Sequence, residues 1–135
     1  MFSFNKTKII VIVAVIIVVS AGWIWWIAHE NKRSRDIERL RHAHIIQNAF
    51  EQMYQHDRSY EAAAERGCSE EGQSVRKCQL RDYYKDMPKL YDPGNKDYVV
   101  TQVPSRDNYE VTFWLELGYG DVEKGEHKIS PEGIK

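Results

Sequence analysis

The chain has 135 residues, of which 42% are hydrophobic and 29% charged, and 19 basic residues against 20 acidic ones give a net charge of −1. This balance argues against a strongly basic nucleic-acid-binding protein, so we expect no nucleic-acid partner. The mean hydropathy of −0.60 is low for this apolar content, because the apolar residues are concentrated in one segment of an otherwise polar chain. The composition also excludes collagen-like, low-complexity and multi-pass membrane proteins.

The apolar segment runs from Ile9 to Ala28 and is interrupted only by Ser20. A helix of this length, at a rise of about 1.5 Å per residue, covers about 30 Å, which is the thickness of the hydrocarbon core of a bilayer. We therefore predict a transmembrane helix over residues 9–28, preceded by a short flank at residues 1–8. The lipid bilayer is the first expected partner.

The carboxyl end of this segment carries three tryptophans, Trp23, Trp25 and Trp26. Indole rings prefer the membrane interface, where the ring meets lipid and the N–H meets water, so these residues favour a permanent anchor. A cleaved secretory signal is the alternative, with Lys6 and Lys8 as its positive region and residues 19–21 as a small-residue cleavage site. A released protein would then keep an exposed apolar start.

Two signals for the orientation of the anchor disagree. More basic residues follow the apolar segment than precede it, which favours a cytoplasmic carboxyl-terminal side. The two cysteines favour the opposite side, because a cysteine pair in a loop of a small domain suits an oxidising compartment. A charge count beside a folded domain is the weaker signal. We therefore expect a single-pass membrane protein with its carboxyl-terminal domain outside the cytoplasm.

Beyond the membrane, the helix is predicted to continue over residues 29–58. No proline occurs from Lys8 to Asp57, and apolar residues recur at spacings of three and four. A break at residues 29–34, which would give two helices, is the alternative. Arg39 and Arg41 are expected to face away from the core. The predicted core stripe of the helix consists of Ile37, Leu40, Ala43, Phe50, Met53 and Tyr54.

Residues 59–135 form the predicted head domain, which is rich in loops up to residue 96. The expected elements are a short helix at 79–86, strands at 97–103 and 109–117, a loop at 118–125 and a short strand at 126–129. In the second strand, the core-facing residues are expected to be Tyr109, Val111, Phe113 and Leu115, because they alternate with polar neighbours. The predicted fold class is α+β, a long helix packed on a small antiparallel sheet.

Cys68 and Cys78 are the only cysteines of the chain. A disulfide between them would close a short loop and contribute roughly 3 kcal/mol to stability. Free thiols in a reducing compartment are the alternative. A zinc site is not expected, because the spacing is too long for a zinc knuckle and no second cysteine pair exists.

Sequence motifs of catalysis are missing from the chain. It contains no G-x-S-x-G, H-E-x-x-H, P-loop or dinucleotide-binding pattern, so we expect no enzyme and no cofactor. Asp92, Asn95 and Asp97 place three oxygen-bearing side chains around a Pro-Gly turn. They form a weak candidate site for Ca²⁺, but without the EF-hand pattern a plain turn is the preferred interpretation.

Several segments, taken in order, resemble the type IV pilins and the major, G-type pseudopilins of type II secretion. The matching segments span residues 33–134 and are Arg35–Arg39, Ile46–Glu51, Met53–Tyr54, Ser59–Tyr60, Met87–Pro88, Asp92–Asn95 with Tyr98, Tyr109–Glu116, and the tail Gly125–Ile134, which is similar to that of some small bacterial members. No glycine precedes the apolar segment, and no acidic residue lies between Met1 and Ala28. The start of the chain therefore departs from the family's leader, which ends in glycine, and from its glutamate at the fifth mature position, and processing by a prepilin peptidase stays open. The resemblance implies a membrane-anchored structural subunit of a bacterial cell envelope, with like subunits in a filament as possible partners.

A function of another class is a membrane-tethered binding module outside the cytoplasm. In that hypothesis, Trp114, Tyr98 and the loop at Tyr119 form an exposed aromatic patch for a glycan or a protein ligand.

Overall fold

The computed structural model describes residues 6–65 and 67–135. The chain divides into an amino-terminal unit, residues 1–32, and a unit that we call the head, residues 33–135. One long helix, α1 (Lys6–Asp57), is packed on a four-stranded antiparallel sheet, so the predicted α+β fold is confirmed. Because α1 is continuous through residues 29–34, the alternative of two helices is wrong. Of the predicted flank, residues 1–5 lie outside the described residues.

Within the head, α1 buries one stripe of side chains. Its apolar members with at most 1% exposure are Ala43, Ile46, Ala49, Phe50 and Met53. Leu40 and Tyr54 are half-buried against the same core. The prediction was wrong for Ile37, which is 43% exposed, and for Arg39, which is 1% exposed rather than facing away. The stripe, continued by steps of three and four from Phe50 through Ala43, arrives at Arg39 and Asp36, and Ile37 lies to one side of it.

The sheet has the strand order β1-β2-β3-β4, with every neighbouring pair antiparallel. The strands are β1 (Val99–Gln102), β2 (Glu110–Tyr119), β3 (Val122–Ser130) and β4 (Gly133–Ile134). The predicted loop at 118–125 is wrong, because β2 and β3 pair as far as Tyr119 and Val122. Gly120, with a positive φ of 61°, lies in the tight turn between the paired residues Tyr119 and Val122. Gly118, with a φ of 86°, lies within β2, where it pairs with Glu123 at the register shift. The sequence did not predict β4.

The core lies between α1 and one face of the sheet. Tyr109, Val111 and Leu115 are fully buried and Phe113 is 3% exposed. The rings of Phe50 and Tyr109 stack with their centroids 3.9 Å apart. This contact joins the carboxyl-terminal part of α1 to the start of β2 and fixes the sheet on the helix.

Between α1 and the sheet, the chain forms α2 (Glu61–Glu65) and two short 3₁₀ helices, Val75–Lys77 and Met87–Lys89. The predicted helix at 79–86 is wrong, and the segment forms turns. The amides of Tyr83 and Tyr84 both donate to the carbonyl of Leu80, but the segment lacks a continuous apolar face that would extend this one turn into a helix.

The predicted disulfide between Cys68 and Cys78 is present, and both residues are buried. Its loop covers the outer edge of β1. Gly72 donates its amide to the carbonyl of Val100 at 2.8 Å, and Val100 donates back to Gln73 at 2.8 Å. The disulfide therefore helps to protect a sheet edge that would otherwise present unpaired backbone groups.

Candidate functional site

The apolar segment at residues 9–28 is the first candidate functional region. Among residues 6–65 and 67–135, one helix, α1, is long and apolar enough in composition to cross a membrane, and none of its apolar stretch is buried. The one side-chain hydroxyl of the segment, that of Ser20, donates to the carbonyl of Ile16 at 2.7 Å. The helix therefore offers lipid an apolar surface whose polar groups are satisfied internally.

The three tryptophans at the end of this segment are well exposed. Trp23, Trp25 and Trp26 have exposed fractions of 70%, 70% and 67%. The ring of Trp25 stacks on the imidazole of His29 at a centroid distance of 5.5 Å. A run of apolar side chains thus changes to aromatic and then polar ones over two helical turns, as at a membrane interface.

A buried cluster of charges forms the second candidate region, where α1 enters the head. Arg39 donates to Asp92 Oδ1 at 2.6 Å, to Asp36 Oδ1 at 2.9 Å and to Glu116 Oε1 at 2.9 Å. Arg35 forms a bidentate ion pair with Glu116, in which Nε donates to Oε1 at 2.7 Å and Nη2 donates to Oε2 at 2.8 Å. Charges removed from water need partners of this quality, because an unpaired buried charge is strongly destabilising.

Asp36 also holds the end of β2. Its carboxylate accepts hydrogen bonds from the backbone amides of Glu116, Leu117 and Gly118 at 2.9, 2.7 and 3.1 Å. The pairing of β2 with β3 shifts its register between Leu115 and Gly118, so these amides lie where the regular ladder is interrupted. The side chain of Asp36 thereby supplies the acceptor that a neighbouring strand would otherwise provide.

The pKa values of the cluster reflect this pairing. The hydrogen bond from Arg35, together with that from Arg39, lowers the pKa of Glu116 to about 2 against the opposing effect of burial. Burial alone would lower the pKa of Arg39, but its hydrogen bonds to Asp92, Glu116 and Asp36 raise that pKa above the ordinary value. Arg39 and Glu116 therefore stay charged at neutral pH.

Sequence reasoning missed this cluster because charged residues were assigned to the solvent face of α1. The available signal was the spacing of Asp36, Arg39 and Ala43, which places two opposite charges in the same three-and-four stripe as the apolar core residues. Nothing in the local sequence indicated the partners, since Asp92 and Glu116 are 53 and 77 residues from Arg39.

A second buried polar contact lies one turn along the helix. His42, 6% exposed, shares a 2.8 Å hydrogen bond with the hydroxyl of Tyr98, and Tyr98 is fully buried. Burial lowers the pKa of His42, so the imidazole stays neutral at neutral pH. Tyr98 is therefore part of the core. The binding-module hypothesis, which placed Tyr98 in an exposed aromatic patch, is wrong for this residue.

The three residues of the weak calcium candidate, Asp92, Asn95 and Asp97, line one surface cavity of about 370 Å³ together with basic side chains. Asp92 is bound by Arg39 and also accepts the amides of Gly94 and Lys96 at 2.6 and 3.0 Å. Asp97 is paired with Arg76 at 3.0 Å. Asn95 adopts a positive φ of 64° as part of the turn. The turn interpretation accounts for these contacts, since both carboxylates already have cationic partners.

Trp114 lines a surface cavity of about 410 Å³ on the outer face of the sheet. It is half-buried, and the ammonium group of Lys96 lies 4.2 Å from the centroid of its ring. Thr101 and Thr112 border the cavity with hydroxyl groups 3.0 Å apart. Tyr119 is not among the residues that line it, and its aromatic lining consists of Trp114 and Phe113, with polar neighbours.

Within residues 6–65 and 67–135, no three His, Cys, Asp or Glu side chains come together in a way that could hold a metal ion. Two of the histidines have partners of other kinds: His42 contacts Tyr98 in the core, and the ring of His127 contacts the carbonyl of Glu123. No family model, no curated protein and no solved structure matches the chain significantly.

Proposed function

We propose that the chain is a membrane-anchored, pilin-like structural protein of a bacterial cell envelope, of the kind found in type IV pili and type II secretion pseudopili. The observation that supports the proposal is the division of α1 into an exposed apolar segment and a segment that packs in the core. Its residues 9–28 expose only lipid-compatible side chains, while its residues 39–53 supply the core of the head. One helix therefore serves as both anchor and scaffold.

The folded head supports a place outside the cytoplasm. Its single disulfide is buried and closes the loop that protects β1, and such bonds persist in oxidising compartments. The opposing argument, the excess of basic residues after the apolar segment, is weakened by the ion pairs. Arg35 and Arg39 are bound by carboxylates within the head, so they do not present free positive charge to a cytoplasmic leaflet.

Assembly with like subunits is tested by disulfide cross-linking in native membranes. A single cysteine is introduced in turn at each position from 13 to 19. The two native cysteines are bonded to each other, so the introduced cysteine supplies the free thiol for cross-linking. A subunit of an assembly should form cross-linked dimers at positions that recur every three or four residues, since one face of the helix meets its neighbour. The matched control is Gln55→Cys on the exposed face of α1 in the head.

The absence of cross-linked dimers at every position of the scan would contradict the assembly part of the proposal and leave a monomeric anchor. Equal cross-linking at all positions would also count against it, because random collisions in the membrane lack a preferred face.

The cavity at Trp114 favours a second candidate, a membrane-tethered module that binds a glycan. An indole face surrounded by threonine hydroxyls and the charged groups of Lys96, Asp97 and Glu126 can stack on a sugar ring and bond its hydroxyls. Trp114→Ala should abolish binding on a glycan array, and near-UV circular dichroism should show an intact head. If the variant unfolds, the tryptophan serves the core and this candidate loses its support.

A further inference from the structure

The hairpin between β2 and β3 lies at a defined end of the head. Phe50 of α1 stacks on Tyr109 at the start of β2, whereas Asp36 binds the amides of Leu117 and Gly118 near its end. The start of β2 therefore contacts α1 near residue 50, and the end of β2 contacts α1 near residue 36. The turn that follows, residues 119–122, belongs to the same end of the head as Arg33, its first residue.

The chain itself holds this end of the head close to the membrane surface. Only residues 29–32 separate Ala28, the end of the apolar segment, from Arg33. Even at full extension, this connection reaches no farther than about 17 Å, and as helix it covers about 8 Å. The headgroup layer on each side of the hydrocarbon core is about 6 Å thick. The start of the head is thus tethered beside the headgroups, whatever the angle between the two units.

The composition of the hairpin turn suits a lipid interface. Tyr119 is 44% exposed and Val122 is half-buried, and tyrosine is enriched where an apolar ring and a polar hydroxyl can each find their preferred medium. Asp121, Glu123 and Lys124 follow, so the charges near the turn sum to −1. This charge gives no attraction to anionic lipids.

We propose that the β2–β3 turn, through Tyr119, is a second membrane contact that docks the head on the headgroup layer of a zwitterionic bilayer. This inference rests on the proposed membrane anchor. It gives the head two points of attachment to the same surface, the helix and the turn, and thereby limits how far the head can tilt away from the bilayer.

The test uses the full chain in phosphatidylcholine vesicles with a small fraction of headgroup-nitroxide lipid. A fluorophore is attached at Asp121→Cys in the turn or, as a matched control, at Asp107→Cys in the exposed turn at the opposite end of β2. We expect at least about twofold stronger quenching at position 121 than at 107, because only the former reaches the interface. Tyr119→Asp should lower the quenching at 121 to the level of 107, and Tyr119→Trp should retain it.

Quenching of the intrinsic tryptophan fluorescence by lipids brominated near the headgroups separates the two proposals, since three of the four tryptophans belong to the anchor. If the tryptophans are not quenched, the anchor itself fails. If they are quenched but positions 121 and 107 respond equally, the second contact is refuted and the anchor stands. A loss of the signal at 121 in high salt, or its appearance only with anionic lipid, would also refute docking through Tyr119.

Discussion

Arg39 contacts three carboxylates that come from three segments of the head: Asp36 on α1, Asp92 in the turn before β1 and Glu116 on β2. Because Arg39 and Asp36 are at most 1% exposed, neither charge has water as an alternative partner. The cluster therefore stabilises one relative position of helix, turn and strand, and it does so at the start of the head.

Replacement of Arg39 by methionine should strongly destabilise the head. The variant keeps the length of the side chain but leaves Asp36 and Asp92 without their cation, while Glu116 keeps its contact with Arg35. Leaving buried carboxylates unpaired costs about 3–5 kcal/mol in the free energy of unfolding. The measurement is denaturant unfolding of the full chain in detergent micelles, followed by near-UV circular dichroism.

Arg41→Met on the same helix is the matched control, because the side chain of Arg41 is 67% exposed and lies 3.6 Å from Glu38. It should change the free energy of unfolding by no more than about 0.5 kcal/mol. Equal effects of the two substitutions would show that the buried cluster does not hold the head together.

Acid should weaken the same contacts. Since the pKa of Glu116 falls from 4.5 to about 2 in the folded head, its stabilising effect is complete above pH 4.5 and is lost as the pH falls from 4.5 towards 2. The loss is on the order of 3 kcal/mol. Unfolding measured across this range should show a smaller slope in Glu116→Gln, whereas Glu71→Gln, at an exposed position of the disulfide loop, should keep the slope of the parent. An unchanged slope in the Glu116 variant would contradict this role.

Among the elements, the sequence predicted the buried face most accurately where the pattern of apolar and polar residues was regular. The alternation in β2 gave the correct core face, because a strand with one buried side obeys a strict period of two. The helix stripe was predicted wrongly at Ile37. Hydrophobicity alone cannot show that buried positions of a helix are occupied by charged residues such as Asp36 and Arg39. The hairpin at residues 118–125 was missed because glycines that shape a tight turn were read as breakers.

Two isoleucines on α1 test the corrected stripe. Ile46 is fully buried and Ile37 is 43% exposed, so the same substitution probes two faces of one helix. Ile46→Ala should lower the free energy of unfolding by about 2–5 kcal/mol through lost burial and a cavity. Ile37→Ala should cost less than about 1 kcal/mol. If Ile37→Ala proved as costly as Ile46→Ala, the stripe predicted from the sequence would be correct and the packing described here would be wrong.

At the scale of the whole molecule, the chain combines an apolar helical segment with a head whose core depends on the same helix. The sequence alone showed the candidate membrane span, because a run of about 20 consecutive apolar residues is typical of a transmembrane helix. The positions of the ion pairs at residues 35 and 39 depended on contacts with β2 and with the turn at Asp92, which lie far away along the chain. The proposed orientation in the membrane rests on those pairs and on the disulfide, and so it could not be read from the charge count alone.

Extraction of native membranes with alkaline carbonate tests the central claim, the anchor, most directly. The unmodified chain should remain in the membrane pellet, and the double variant Ile16→Arg, Ile17→Arg should be released, because each arginine at the middle of the span costs about 2.5–3.5 kcal/mol. Gln52→Arg with Gln55→Arg, which adds the same charge on the exposed face of α1 in the head, should stay in the pellet. Release of the unmodified chain into the supernatant would contradict the account.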